Sequence, residues 1–396
     1  MGMGGNLLGP ESLMHRCASG RACACLVAAL LLAASAAGAA AAGLPPTGAA
    51  AREPPENAAP EDSGESLLPP LQGHEAAEIF SIPVPDEDII GRYVDGLLAT
   101  RMDWLQAVLD RSIRYHELIT RQLSERGLPP ELGFLPALES GFQARALSPR
   151  GAAGLWQLMR NTAAPYGLRM DMWLDERRDV RRATEASLGK LAENYAIFSD
   201  WYLALAAYNC GVGKLSGILR RFPGRDFWEL RKKGVLPRET AAFVPQFFAL
   251  CTILGHAGRY GLDIEWDPPP AWSMIRLDRS VDLRILARVS GAPLDTLLSG
   301  NPELNYLVTP PPAYGYELKV PEDFAPAVAT ALQGSDIPLL EFRVHVVAQG
   351  DTLSGMSVRY GISVPLILEF NPALSPRALR IGARVLIPLL PPRSSG

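Results

Sequence analysis

The chain has 396 residues, 48% of them hydrophobic, and a formal net charge of only −4. That length suggests two or three domains with proper cores, and the charge gives no footprint of the clustered Lys and Arg that nucleic-acid phosphates demand. His15, His74, His116, His256 and His345 stand apart from any cysteine or carboxylate at metal-ligand spacing, so neither a metal site nor a cofactor is expected.

From Cys25 to Ala42 the chain runs CLVAALLLAASAAGAAAA, behind His15, Arg16 and Arg21. A basic start, an apolar run and a small-residue end make 1–42 a signal peptide cut near Ala40 to Ala42. The alternative is an uncleaved membrane anchor, although a run of about 18 residues is at the short end for a span. Cys17, Cys23 and Cys25 precede the apolar run, which argues against a lipoprotein. Cys210 and Cys251 remain. Export would permit a disulfide between them, but two buried free thiols are the favoured reading. Residues 43–75, rich in Pro, Ala, Glu and Gly, cannot bury a core and are expected to form a linker.

Helical patterning fills about 87 to 260. Leu105, Leu109, Ile113, Ile119 and Leu123 share one side of a helix that Gly127 stops, with Pro129 and Pro130 opening the next element. Thr184 is placed to cap a helix with a stripe of Leu188, Leu191, Tyr195 and Phe198. WYLALAAYN (201–209) and TAAFVPQFFALCTILG (240–255) are apolar enough for core helices. The mixed run DERRDVRRATE (175–185) suggests a solvated face or interhelical salt bridges.

Beyond 265 the chain repeats. A shift of 70 residues lays 280–304 over 350–374 without a gap. Leu283 matches Leu353, Leu286 matches Met356, Gly291 matches Gly361, and Asn301-Pro302 matches Asn371-Pro372. Each copy closes on YELKVP (316–321) or RVLIP (384–388), giving two strand–helix–helix–strand units. RVHVV opens the second; the first shows no opening strand as clear and looks degenerate.

Four places carry chemistry. Glu139 follows the apolar FLPAL, where partial desolvation would raise its pKa and suit it to give a proton to a leaving glycosidic oxygen. A salt bridge to Arg145 or Arg150 explains it equally well. GAAGLWQLM (151–159) offers small residues for close approach, Gln157 as donor and acceptor, and Trp156 as either a sugar platform or a core residue. In ALAAYNCGVGKL (204–215), Tyr208 and Asn209 end an apolar helix, or Asn209 is a plain C-cap. GVGKL is no phosphate loop, since Leu215 stands where Ser or Thr is required. Glu239 and Thr240 open the last helix, as a second acid facing a cleft or as ordinary N-terminal capping.

The ordered motifs E-S-G-F, G-L-W-Q, A-Y-N-x-G and E-T-x-x-x-V-P resemble the catalytic domain of family 1 lytic transglycosylases, nearest the membrane-bound type D branch. The resemblance covers about 85–265, and 342–388 is similar to a LysM glycan-binding module, with 272–322 a decayed copy. It implies a mostly α fold: a lysozyme-like helical domain, followed by small α+β (βααβ) LysM-like modules, acting on peptidoglycan in the periplasm or cell envelope. By motif, Glu139 becomes the single catalytic acid and base, and Ser140 helps to orient it. Ser148, Gln157 and Met159 line the sugar cleft. Tyr208 and Asn209 contact the reacting muramyl sugar, and Glu239 stabilises positive charge developing there. The implied reaction is cleavage between N-acetylmuramic acid and N-acetylglucosamine with a 1,6-anhydromuramyl product. The implied partners are glycan strands, a GlcNAc-containing ligand for LysM, and a membrane tether, with no nucleic acid. Phe243 replaces a frequent family Tyr, Cys210 replaces Ala, and Gly355-Met356 departs from the usual LysM packing. A goose-type-lysozyme-like hydrolase and a non-catalytic wall-binding scaffold are the rival readings.

Overall fold

The computed structural model describes residues 81–85, 87–264, 270–334, 339–371, 374–375 and 379–390. The expected signal segment 1–42 and linker 43–75 lie outside the described residues. Among those described, no helix is long and apolar enough to cross a membrane.

The first part is helical: α1 (Asp88–Thr100), α2 (Met102–Glu125), the short α3 (Leu135–Ser140) and α4 (Arg160–Ala163), then α5 (Val180–Phe198), α6 (Trp201–Cys210), α7 (Val212–Arg221), α8 (Phe227–Lys232) and α9 (Arg238–Gly255). In α2, Leu105, Leu109, Ile113, Ile119 and Leu123 are buried along one stripe. It ends as expected at Gly127 (φ 61°), where Gly127 N–H donates to Ser124 and Leu128 N–H to Leu123, the paired bonds of a Schellman turn. A 3-10 turn, Pro130–Phe134, then leads into α3. Helix α9 is apolar nearly all round and packs against α1, α3 and α6, as a central helix must. Pro245 inside it cannot bond the Ala241 carbonyl. Arg231 Nε takes that carbonyl at 3.0 Å instead.

The second part holds two βααβ units. The first is β1 (Trp272–Arg276), α10 (Leu283–Ser290), α11 (Leu294–Gly300) and β2 (Glu317–Pro321). A short helix, α12 (Ala325–Gln333), follows. The second unit is β3 (Phe342–Val346), α13 (Leu353–Tyr360), α14 (Val364–Glu369) and β4 (Arg384–Pro388). Adding 70 to the bounds of β1 and α10 gives those of β3 and α13. Both ribbons are antiparallel, with Trp272 opposite Pro321 and Phe342 opposite Pro388. The first unit therefore does have an opening strand. Its WSMIR lacks clean alternation because its closing partner β2, with Leu318 and Val320 buried, supplies the core-facing register.

Two expectations need correction. Helix α5 is capped by Asp179, whose carboxylate accepts from Arg182 N–H at 2.8 Å. Thr184 lies a turn inside, donating to the Val180 carbonyl at 2.6 Å. Of its stripe, Leu188 and Leu191 are buried, while Tyr195 is exposed and stacks on Trp201. Of the two readings of 175–185, the salt bridges hold, with Glu185 pairing with Arg126 at the end of α2, while the solvated face fails at 175–179, where Asp175, Glu176, Arg177 and Asp179 are all buried. Each charge there finds an opposite charge or a carbonyl at close range, the condition under which burying ions is tolerable.

Two cores result. One unites α1 to α9. The other joins both βααβ units and takes in Trp173 and Leu174 from the helical part.

Candidate active site

Glu139 is the penultimate residue of α3. The helix ends at Gly141 (φ 58°), and Phe142 is also left-handed (φ 58°). Two such residues in succession turn the chain sharply away just past the acid. A non-glycine there carries strain that its surroundings must hold. Phe142 is buried and stacks on Tyr115 at 6.4 Å, and Arg111 Nε donates to the Gly141 carbonyl at 2.6 Å. Ser140 Oγ donates to the Leu155 carbonyl at 2.8 Å, tying the end of α3 to the loop that follows.

Residues 146–159 form that loop. Leu147, Ala153 and Leu158 pair as short bridges. The Ser148 hydroxyl closes the 148–152 turn by accepting from Ala152 N–H at 3.0 Å. Gly154 (φ 82°) presses on Arg177, whose carbonyl oxygen lies 1.9 Å from where a Cβ would be. Gln157 is left-handed (φ 46°), and its side-chain amide donates to the Gly154 carbonyl at 2.9 Å. Trp156 is fully buried, its Nε1 donating to Thr184 Oγ1 at 2.9 Å. It is a core residue and no sugar platform. Met159 is 40% exposed at the start of α4.

Tyr208 and Asn209 come from the end of α6. The Tyr208 hydroxyl donates to the Trp156 carbonyl at 2.8 Å and reaches Ser187 Oγ at 3.3 Å. Burial first, and then the nearby Glu139 carboxylate, push its phenol far up, so it stays neutral. Asn209 Nδ2 donates to Glu239 Oε1 at 3.1 Å, and its Oδ1 accepts from Thr240 Oγ1 at 2.7 Å. Arg150 Nη1 holds the other Glu239 oxygen at 3.3 Å. Glu239 lies in the first turn of α9, but no side chain caps that helix.

Glu139 itself has no hydrogen-bond or ion-pair partner among the described residues. Arg145 turns to the Pro302 and Leu304 carbonyls, and Arg150 to Glu239, so the salt-bridge alternative fails. The residue keeps some solvent exposure while protein atoms crowd its carboxyl. That desolvation, followed by the negative charge of Glu239, pushes its pKa from an ordinary 4.5 up to about 8.

The structure thus brings Glu139, Tyr208, Asn209 and Glu239 into one cluster. Ser140 and Gln157 brace its walls through backbone carbonyls. Ser148 and Met159 sit on the same loop without hydrogen bonds to that cluster among the described residues. The sequence alone did not single out Thr240's hydroxyl bond to Asn209, the Arg150–Glu239 pair, or the grip of Arg177 on the Gly151 and Leu158 carbonyls at 2.6 and 2.9 Å. The mixed signs of the 175–179 run were the available signal. A cavity of about 560 Å³ opens nearby between Lys214 and Pro237. Its walls include none of the cluster residues. Cys210 and Cys251 carry free thiols.

The chain is similar to known proteins over most of its length. The Transglycosylase SLT domain model matches residues 118–230, and the LysM domain model matches 345–388. The membrane-bound lytic murein transglycosylase D of Escherichia coli (strain K12) is 31% identical over 332 residues, 78% of this chain and 71% of that protein. The chain belongs to the lytic murein transglycosylase D family. A putative tributyltin chloride resistance protein from Alteromonas sp. (strain M-1) is 36% identical over 121 residues, 30% of this chain and 58% of that one. Among solved structures, an inactive mutant of lytic transglycosylase Slt from Pseudomonas aeruginosa gives 23% identity and a TM-score of 0.32, covering 38% of this chain and 25% of that one. The 70-kDa soluble lytic transglycosylase of Escherichia coli gives 21% and 0.34, covering 43% of this chain and 30% of that one. Scores that low carry no argument about this transglycosylase, which rests on the type D relative.

Proposed function

We propose that this lytic transglycosylase cuts peptidoglycan strands between N-acetylmuramic acid and N-acetylglucosamine, leaving 1,6-anhydromuramyl ends, with Glu139 as its one acid and base. The observation that supports this most is a lone carboxyl, unpaired and lifted to about 8, beside a second acid already engaged by Arg150 and Asn209.

At neutral pH Glu139 carries a proton and gives it to the glycosidic oxygen as the bond to the muramyl C1 breaks. The substrate's own N-acetyl group supports C1 in place of an enzyme nucleophile, one of the exceptions to the two-carboxylate rule. The Glu139 carboxylate then takes the proton of the muramyl C6 hydroxyl, whose oxygen bonds to C1. One proton leaves Glu139 and one returns, and no water is consumed. Glu239 favours positive charge near C1. Tyr208 and Asn209 touch the muramyl sugar, and Ser148, Gln157 and Met159 line its cleft.

The domain plan proposed with this is an export segment at 1–42 that carries the chain to the cell envelope or tethers it there, a linker at 43–75, and the catalytic region 85–265. LysM-like units follow at 272–322 and 342–388, the second contacting GlcNAc-containing glycan. Glu139→Gln tests the assignment: glycan cleavage should vanish while binding to wall sacculi persists. Equal product release by mutant and wild type would remove Glu139 from its role.

A further inference from the structure

The two βααβ units allow an internal comparison that points to a distinct use for the first. Lys319 in β2 and Leu386 in β4 are equivalent: Lys319 pairs with Met274, Leu386 with Val344, and each backbone N–H donates to Asn301 or Asn371 respectively. Leu386 is 39% exposed. The Lys319 side chain is 18% exposed and sits between two carboxylates, at 2.7 Å from Asp179 and 2.7 Å from Glu303. Asp179 belongs to the helical part, where it caps α5.

Around this ion triad the first unit is joined to the helical part along its α11–β2 loop. Leu174 bridges to Leu304, and Asp175 N–H donates to the Glu303 carbonyl at 2.9 Å. Asn305 bonds the carbonyls of Asp171 and Met172 and receives Arg178 at 3.2 Å. Arg145 reaches across to the Pro302 and Leu304 carbonyls. The stretch so gripped, 171–179, contains Asp175, which holds Arg177 through two bonds of 2.9 and 2.7 Å. Arg177 in turn holds Gly151 and Leu158 on either side of Gln157. A chain of short polar contacts therefore runs from the first unit to the loop facing Glu139, and a second enters that loop at Arg145.

We propose that the first βααβ unit is a positioning module of the active site, with Lys319 its key residue, and not a second glycan-binding module. This rests on Glu139 acting as the catalyst. The α11–β2 loop of the first unit is occupied by the enzyme itself, through Asp175, Arg178 and Arg145. Lys319 acts through Asp179 and the 171–179 stretch, and touches no reacting atom.

The test uses the full chain carrying Lys319→Met and, separately, Asn305→Ala, which loosens the dock without stranding a buried charge. Each is assayed on sacculi well below its own melting midpoint, with backbone hydrogen exchange measured in parallel. Displacing a positioned loop by about an ångström costs on the order of a hundredfold in turnover. Lys319→Met should lower kcat by that order with KM and sacculus binding unchanged, and Asn305→Ala should show a smaller fall of the same kind. The Ala153 and Leu158 amides, which bond each other's carbonyls, should exchange faster in both while those of α9 stay protected. A wild-type kcat in the folded variants, or exchange that rises equally everywhere, would overturn the proposal. A loss of sacculus binding at unchanged kcat would instead make the unit a glycan binder and also overturn it. Glu139→Gln assayed alongside separates this from failure of the catalytic reading: full activity there faults Glu139, whatever Lys319 does.

Discussion

Asn301 and Asn371 do the same job in the two βααβ units. Each amide donates to a carbonyl one turn back and to one on the closing strand, and each carbonyl accepts from that strand. Asn301 is nevertheless wholly buried and also receives the Tyr316 hydroxyl at 2.8 Å, whereas Asn371 is partly open. The difference is not in the plan of the units but in what covers them. Chain 171–179 and Arg145 lie over the first. The second meets the helical part through the contact of Ser363 with Met172. Among the described residues, the polar bonds to the helical part are many in the first unit and few in the second, although both share one apolar core with Trp173 and Leu174.

Gly154→Ala should break that comparison most severely. A methyl group there would strike the Arg177 carbonyl, in a backbone conformation that L-residues resist. Steady-state kinetics on sacculi should show kcat down by about a hundredfold or more, with no change in binding by the second unit. Deleting 342–396 is the complementary cut; because the two units share a core, it is read with hydrogen exchange showing that α10 and α11 stay folded. Pull-down on sacculi should weaken by about a hundredfold or more, as loss of one of two linked binding sites implies, while turnover of short soluble glycans stays within about twofold. Unchanged pull-down would show that 342–388 is no anchor. The paired asparagines sharpen the contrast in stability. Urea unfolding should find Asn301→Ala destabilising by about 3 kcal/mol, because buried partners lose their bonds, and Asn371→Ala by about 1 kcal/mol. Equal losses would erase the distinction.

The smallest effects concern pH, and should belong to the helical part alone. The proposed mechanism uses the acid form of Glu139, so activity should hold below about pH 8 and fall above it. Glu239→Gln removes the charge that helps to raise Glu139, and should move this alkaline limb down. Arg150→Ala unmasks that charge and should move it up, both by a fraction of a unit because the Arg150–Glu239 pair is exposed. Deleting 342–396 should leave the limb in place. Stability is linked in the same sense. Glu139 holds its proton more tightly when folded, so its cost to stability is absent below about pH 4.5 and grows as pH rises towards 8. Glu139→Gln should therefore raise Tm at pH 8 and leave it nearly unchanged at pH 4.

What the sequence disclosed follows from how local each feature is. The stripe of α2, its Gly127 stop and the 70-residue repeat are patterns of spacing, and they fold as written. Motif order put Glu139, Tyr208, Asn209 and Glu239 on one list, and the fold brings those four together. Spacing did not tell that Trp156 would be buried against Thr184, because the same bulky ring suits a core or a sugar. Nor did it tell that Asp175 and Arg177 would be interior, since charge runs are usually solvated and their partners, the Gly151 and Leu158 carbonyls and the distant Glu303 carbonyl, arrive only with the fold. The left-handed Gln157 is invisible in composition, because it is imposed by its neighbours.

The central claim is that one carboxyl acts twice and water not at all. Mass spectrometry of the muropeptides released from purified peptidoglycan tests it most directly. The account predicts 1,6-anhydro ends, one water lighter than reducing ends, from wild type and none from Glu139→Gln. Release of reducing ends alone would contradict it and make the protein a hydrolase.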